Sequence, residues 1–147
     1  TSYFFKRGDP APQFWLFLRE FLMSITSRTK PILFAYFFIK TLHYSGLFPN
    51  NMCQKCGNSL GNDTVYQGGV LLHLKCGNNG KAIRSCTLRP MFYLETININ
   101  SLRTVKLSSD MELKIAETAY YIIRSLIDKP LKTEYFWKDY MSKYKTA

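Results

Sequence analysis

The sequence predicts a mainly α fold, a helical bundle domain with an inserted finger-like segment. Apolar residues recur at helical spacing near both ends of the chain, a pattern typical of amphipathic helices. Between Phe48 and Arg89 this period is lost, Pro, Asn and Gly become frequent, and all four cysteines appear. The segment Met91–Leu107 shows no clear pattern and receives no assignment. We expect one helical domain over residues 1–147 with a compact insert at about residues 50–90.

The first helix is expected from Pro10 to Ile25. Asp9 before Pro10 is a favourable start, because proline is pre-organised for the first helical turn. Apolar residues then follow at spacings of three and four, which places them on one face. They are Phe14, Phe17, Leu18, Phe21, Leu22 and Ile25. We expect this face to pack against the rest of the bundle.

The second helix is expected from Pro31 to Tyr44 and is apolar on nearly all sides, which is typical of a helix at the centre of a core. Gly46 marks its end, since glycine readily takes the left-handed cap conformation. Its run PILFAYFFI lies between Lys30 and Lys40 and is shorter than the roughly 20 residues that span a bilayer. We expect no membrane partner.

Two further helices are expected near the C-terminus. Ser109 and Glu112 have the spacing of a capping box, which satisfies two backbone donors at a helix start. This helix should end near Asp128, because Pro130 disfavours helical geometry at the preceding residue. A last short helix is expected from Thr133 to Tyr144. The apolar face of the first of these two helices consists of Leu113, Ala116, Ala119, Tyr120, Ile123 and Ile127.

The insert carries two pairs of metal-type ligands with the same internal spacing. Cys53 and Cys56 form a Cys-x-x-Cys-Gly turn, and His73 and Cys76 repeat the spacing downstream. Such turns place two ligands on one side of a tetrahedral zinc ion. Cys86 is a rival fourth ligand with a looser spacing. In the alternative interpretation no metal binds, Cys76 and Cys86 are buried thiols, and His73 is a hydrogen-bonded polar residue.

A closed site with four protein ligands is structural, because catalysis needs an open position for water or substrate. Zinc would fold an insert that has too few apolar residues for a core of its own. The sequence therefore predicts a zinc-ribbon-like Cys/His finger with one structural zinc per chain. No phosphate-binding loop, dinucleotide-binding motif or His-Glu-x-x-His motif is present, so we expect no enzymatic activity.

The chain carries 20 Lys and Arg against 10 Asp and Glu, a net charge of +10 that favours an anionic partner. Four basic residues lie in or beside the finger, where they can neutralise DNA phosphates. These are Lys75, Lys81, Arg84 and Arg89. Tyr66, Phe92 and Tyr93 flank them and either stack on bases or pack under the finger. A solvated surface is the alternative for each basic residue.

A second basic group borders the last helix. It contains Lys129, Lys132 and Lys138, followed by Lys143 and Lys145. An apolar groove rimmed by lysines is suited to an acidic peptide tail that ends in an aromatic residue. No secretory signal is visible, so we expect reduced cysteines and a cytoplasmic protein.

The order of these elements resembles the C-terminal part of the bacterial recombination mediator family RecO. The helix ending His43-Tyr-Ser-Gly-Leu-Phe-Pro49 runs directly into Cys53-Gln-Lys-Cys56-Gly, and Gly68-Gly69 precedes the second ligand pair. The stretch Asp128-Lys-Pro-Leu-Lys-Thr133 and the aromatic pair Phe136-Trp137 complete the pattern. The resemblance covers nearly the whole chain.

The chain departs from the family in two respects. Zinc-bearing members typically have cysteine where this chain has His73, although histidine is also an ordinary zinc ligand. The family's N-terminal oligonucleotide-binding barrel has no counterpart before Thr1, so we expect a fragment of a longer protein.

The resemblance implies a non-enzymatic role in DNA repair and recombination. It implies binding of single- and double-stranded DNA, annealing of complementary strands, and association with RecR. It also implies contact with the acidic C-terminal tail of single-stranded DNA-binding protein, promotion of RecA loading, and a location at the bacterial nucleoid. The alternative is a zinc-ribbon module for protein interaction or transcription. A metal-dependent hydrolase is the weakest interpretation.

Overall fold

The computed structural model describes residues 12–25, 30–127 and 134–145, and it confirms a mainly α fold with an inserted finger. In chain order the elements are α1 (Pro12–Ser24), α2 (Pro31–Tyr44), β1 (Asp63–Gln67), β2 (Val70–His73), β3 (Lys81–Arg84), α3 (Ser85–Thr96), a short 3₁₀ helix (Ser101–Thr104), α4 (Ser109–Ser125) and α5 (Glu134–Lys145). Among these residues, no helix has both the length and the apolar character needed to cross a membrane.

Helix α2 lies at the centre of the core, as its apolar sequence predicts. Ala35, Ile39 and Leu42 are fully buried, and the main neighbour of α2 is α4, where Ile115 and Ile122 are also fully buried. Removal of this much apolar surface from water is the main stabilising term of the bundle.

Helix α1 packs against α2 through a narrow aromatic stripe. Phe14, Phe17 and Phe21 are buried, and the Phe21 ring stacks on an α2 ring, Phe37, with centroids 4.4 Å apart. The prediction that Leu22 and Ile25 also belong to the buried face is wrong, because Leu22 is 58% exposed and Ile25 is 43% exposed. The predicted start at Pro10 lies outside the described residues.

The finger is built on a three-stranded antiparallel sheet with strand order β2-β1-β3. On its inner face Tyr66, Leu71 and Ile83 are buried in the same core as the helices. The Ser125 hydroxyl at the end of α4 donates to the Tyr66 hydroxyl at 3.1 Å. The sheet is thereby attached to the helical bundle.

Helix α3 corrects the prediction of an irregular insert up to Arg89. It begins at Ser85 directly after β3, so Ser85–Arg89 is helical, and it fills much of the unassigned segment. Its buried residues recur at helical spacing: Thr87, Leu88, Met91 and Leu94. Pro90 lies inside the helix and lacks an N–H group. Because proline is unfavourable inside helices, the sequence does not predict this helix.

The start of α4 corrects the predicted capping box by one residue. The N-cap is Ser108, whose hydroxyl accepts from the Met111 N–H at 3.3 Å. Glu112 is instead buried, and its carboxylate accepts from the Ile32 N–H at the start of α2. Helix α4 ends at Ser125, three residues before the expected end at Asp128, and α5 agrees with its prediction within one residue at its C-terminal end.

Candidate metal centre

A tight turn before the sheet presents the first two cysteines. The Gly57 N–H donates to the Cys53 carbonyl at 2.8 Å, and Gly57 has φ of +72°, a conformation that favours glycine. The Cys53 N–H donates to the Asn58 carbonyl at 2.9 Å, which closes the turn. Cys53 is therefore held inward and buried, while Cys56 is exposed at the tip.

A second turn at the end of β2 presents the other two ligands. Both the Cys76 N–H, at 2.8 Å, and the Gly77 N–H, at 3.0 Å, donate to the His73 carbonyl. Glycine is needed at position 77, because an added Cβ would lie 2.8 Å from a methyl carbon of Val65 on β1. The turn thus returns Cys76 toward the histidine.

The four predicted ligands form one compact group. The sulfur atoms of Cys53, Cys56 and Cys76 and a ring nitrogen of His73 all lie within 4.8 Å of one another. A tetrahedral ion bound to sulfur at about 2.3 Å separates its sulfur ligands by roughly 3.8 Å, so the group is close to the required size. These residues can hold a metal ion.

The imidazole of His73 is oriented by a backbone carbonyl. Its Nε2 atom lies 3.0 Å from the Ser59 carbonyl oxygen, which can only accept, so Nε2 carries the proton of the neutral ring. Its Nδ1 atom faces the cysteines and lies 3.4 Å from Cys56 Sγ. Metal-binding histidines commonly donate their other N–H to such a carbonyl.

The thiols differ in acidity. Burial raises the pKa of Cys53, but three backbone N–H donors outweigh burial and lower that pKa to about 6. The donors are His73, Cys56 and Lys55. Burial, followed by the neighbouring thiols, raises the pKa of Cys76. Three thiolates this close repel one another, and a divalent cation between them removes that repulsion.

Cys86, the rival fourth ligand, lies apart from this group. It is an exposed residue in the first turn of α3, and the group consists of the two Cys-x-x-Cys-like pairs without it. The role of Ser59 cannot be predicted from the sequence, because a backbone carbonyl acceptor carries no residue-type signal.

Residues 1–134 match the protein family described as Recombination protein O C terminal. The chain belongs to that family. The match includes the finger and the helices α1 to α4 and ends at the first residue of α5. It places the chain in DNA recombination and repair in general terms. No curated protein and no solved structure matches the chain.

The four basic residues predicted to bind DNA do not share one cavity in this RecO-family chain. Lys75 is exposed in the turn before Cys76, and Arg84 is exposed at the end of β3. Arg89 lines a cavity of about 160 Å³ beside the start of α3. Lys81 lines a different groove, where its Nζ atom lies 4.1 Å from the centroid of the Tyr121 ring.

Of the three rings proposed to stack on bases, the structure excludes Tyr66, which is 1% exposed. Phe92 packs edge-on against Phe48 at a centroid distance of 5.6 Å, and Tyr93 is exposed on α3.

The second basic group is described only in part, because Lys129 and Lys132 lie outside the described residues. Lys138 is exposed on α5, 3.0 Å from the Glu134 carboxylate one turn earlier.

A groove of about 520 Å³ that the sequence did not predict lies between the finger, α4 and α5. Aromatic and basic residues form most of its wall: Lys81, Tyr120, Tyr121, Arg124, Trp137 and Lys138. They come from distant parts of the chain, so no local motif indicates the groove. We name it the α4–α5 groove.

Proposed function

We propose that this chain is the helical, metal-stabilised part of a non-enzymatic, DNA-binding recombination mediator. The observation that carries the proposal is the family match over residues 1–134, and the net charge of +10 supports a polyanionic partner. A bacterial cytoplasmic location at the nucleoid follows from the same proposal.

The metal in this proposal is one structural zinc per chain. Thiolate and imidazole ligands suit zinc, and four protein ligands leave no open position for substrate. Cys53, Cys56, His73 and Cys76 would hold it, with Ser59 fixing the imidazole orientation. The ion would cross-link the turn that precedes the sheet to the turn that follows β2.

DNA contact is assigned to the basic residues of the finger and of α3. Exposed Lys75, Arg84 and Arg89 can each replace a condensed counterion on a phosphate, which gives affinity without sequence preference. Lys81 is the fourth member of the set. Binding of both single- and double-stranded DNA, and annealing of complementary strands, fit such backbone recognition.

The protein partners in this proposal follow from the family. They are RecR and the acidic C-terminal tail of single-stranded DNA-binding protein, and their joint action promotes RecA loading. We assign the tail contact to Lys129, Lys132 and Lys138. The Lys138 side chain is 70% exposed, so the tail can contact it without entering the α4–α5 groove. Its ion pair with Glu134 is exposed and contributes little stability.

The salt dependence of DNA binding tests the proposal. For single-stranded DNA each phosphate contact contributes about −0.7 to the slope of log K against log salt, and for a duplex about −0.9. We expect a slope that reflects several contacts. In an Arg84→Ala, Arg89→Ala double variant its magnitude should fall by about 1.4 for a single strand or about 1.8 for a duplex. A slope near zero, or no binding at low salt, would favour the protein-interaction module instead.

A further inference from the structure

The α4–α5 groove contains hydrogen-bonding capacity that the folded protein does not use. Among the described residues, Lys81 has no carboxylate partner, and its ammonium group lies over the Tyr121 ring. The Tyr120 hydroxyl is the one buried side-chain polar atom without a hydrogen-bond partner in the described part of the chain. An unsatisfied buried hydroxyl costs roughly 1–3 kcal/mol, so its retention calls for an explanation.

The other two cations of the groove, Arg124 and Lys138, share one carboxylate partner, Glu134. Arg124 Nε lies 3.5 Å from the Glu134 carboxylate, and Lys138 Nζ lies 3.0 Å from it. Arg124 also donates to the Ile127 carbonyl at 2.7 Å. The groove therefore offers a ligand one ammonium group without a carboxylate partner, from Lys81, and one hydroxyl donor. Burial raises the pKa of Tyr120, so that hydroxyl keeps its proton at neutral pH.

These donors match a ligand with one negative charge and a planar ring. We propose that the α4–α5 groove binds one nucleotide of single-stranded DNA, with the base against the aromatic wall of Tyr120, Tyr121 and Trp137. Lys81 then contacts the phosphate, and the Tyr120 hydroxyl donates to an acceptor on the base or the backbone. The inference rests on the proposed DNA-binding function and specifies where one nucleotide sits.

The charges of the groove favour a nucleotide over an acidic peptide. A peptide tail brings several carboxylates, and these would meet two carboxylates already in the groove: Glu117 in the wall, and Glu134 beside Arg124 and Lys138. One phosphodiester brings a single charge for Lys81. Stacking on aromatic rings also tolerates any base, which suits a protein that binds DNA without sequence preference. The volume of about 520 Å³ is within the range of roughly 300–1,000 Å³ that is typical of small-ligand sites.

The experiment uses the fluorescence of Trp137. The chain has two tryptophans, and Trp15 is 57% exposed on α1, so a Trp15→Phe variant leaves Trp137 as the only reporter. This variant is titrated with an oligothymidylate at low salt, and binding is followed in parallel by anisotropy of a labelled strand. We expect the Trp137 emission to be quenched in step with the anisotropy change.

Two groove variants and one matched control accompany the titration. We expect Lys81→Met to weaken binding about tenfold, as for loss of a charge-assisted hydrogen bond. We expect Lys106→Met, which removes an equal charge from an exposed loop residue, to weaken binding about threefold or less. Tyr120→Phe should weaken binding severalfold while the melting temperature stays equal or rises, because the variant removes a buried unpaired hydroxyl.

The outcomes separate this inference from the proposed function. If Lys81→Met and Tyr120→Phe bind the oligonucleotide as Lys106→Met does, the groove is not the nucleotide site, although DNA binding itself stands. Quenching of Trp137 by an acidic peptide with an aromatic end, but not by the oligonucleotide, would assign the groove to the peptide and overturn the inference. Absence of any DNA binding at low salt would refute the proposed function as well.

Discussion

The helical bundle and the finger of this chain are stabilised by different means. In the bundle, α2 and α4 bury side chains such as Ile39, Leu42 and Ile115 completely. In the turn between Cys53 and Ser59, every residue after Cys53 is exposed, and backbone hydrogen bonds and a glycine with positive φ fix the chain. In a bundle, the loss of one contact lowers the free energy of unfolding in proportion to the apolar area that is no longer buried. A finger of this kind instead depends on a few groups that all have to be present.

The largest expected effect is loss of a ligand. Cys53→Ser should remove zinc from the protein and unfold the finger, because structural zinc contributes about 10–16 kcal/mol to the folding of small zinc-binding peptides. The helical circular dichroism should fall little, since none of the four ligands belongs to the hydrophobic core that the helices form. Elemental analysis of metal per chain, with protease sensitivity between residues 50 and 62, measures both effects.

Two further variants complete this test. His73→Ala should also lose the metal, whereas Cys86→Ala should retain it, because Cys86 lies outside the ligand group. Full zinc content in Cys53→Ser, or a loss caused by Cys86→Ala, would contradict the assigned ligand set.

The next effect concerns the bundle. Leu42→Ala leaves a cavity at a fully buried position in α2 and should lower the free energy of unfolding by about 2–5 kcal/mol. The decrease should be the same with and without a chelator, and metal content should not change. Leu22→Ala on α1 is the control, since Leu22 is 58% exposed and should cost less than about 1 kcal/mol. Loss of zinc from Leu42→Ala would show that the two regions unfold together.

A smaller effect is expected at Gly80, which directly precedes β3 and packs tightly against β1. A Cβ added at Gly80 would lie 2.8 Å from the Tyr66 carbonyl oxygen and 2.9 Å from Val65 Cβ, so the β1 backbone would have to move. Gly80→Ala should cost about 1–3 kcal/mol by thermal unfolding. Gly61→Ala is the matched control, because in the described part of the chain no atom comes within 4 Å of its added Cβ. Equal melting temperatures for both variants would contradict the close packing.

The same contrast explains what the sequence could predict. Four helices could be predicted because the apolar residues that face the core recur at helical spacing, as Phe14, Phe17 and Phe21 do in α1. The ligand group was found because its two turns are local and have a fixed spacing. Helix α3 was missed because Pro90 interrupts its pattern. The α4–α5 groove combines Lys81 with Trp137, and only the packing of α5 and the sheet against α4 brings them together.

Within the bundle, the predicted face of α4 was partly wrong for a related reason. The predicted face includes Leu113 but not Ile115 and Ile122, which are fully buried in the structure. Helix α4 is covered on more than one side, by α2 and by α3, so its buried surface is wider than one stripe.

The smallest effect tests a polar contact inside the bundle. Burial raises the pKa of Glu112, against the opposing influence of Lys30 and of the Ile32 N–H. Because the folded-state pKa is raised, the contribution of Glu112 to stability is fully present below its ordinary pKa of 4.5 and is lost as the pH rises through the folded-state value. Glu112→Gln should therefore gain stability relative to the wild-type chain between pH 4 and pH 7, by about 1 kcal/mol or less.

Urea unfolding of both chains at the two pH values measures this difference, and repetition at high salt separates it from exposed charges, which salt screens. If Glu112→Gln becomes less stable relative to the wild type as the pH rises, the ionised carboxylate stabilises the start of α2 by more than its burial costs. The bundle would then depend at this point on a single polar contact, much as the turn between Cys53 and Ser59 depends on a few backbone hydrogen bonds.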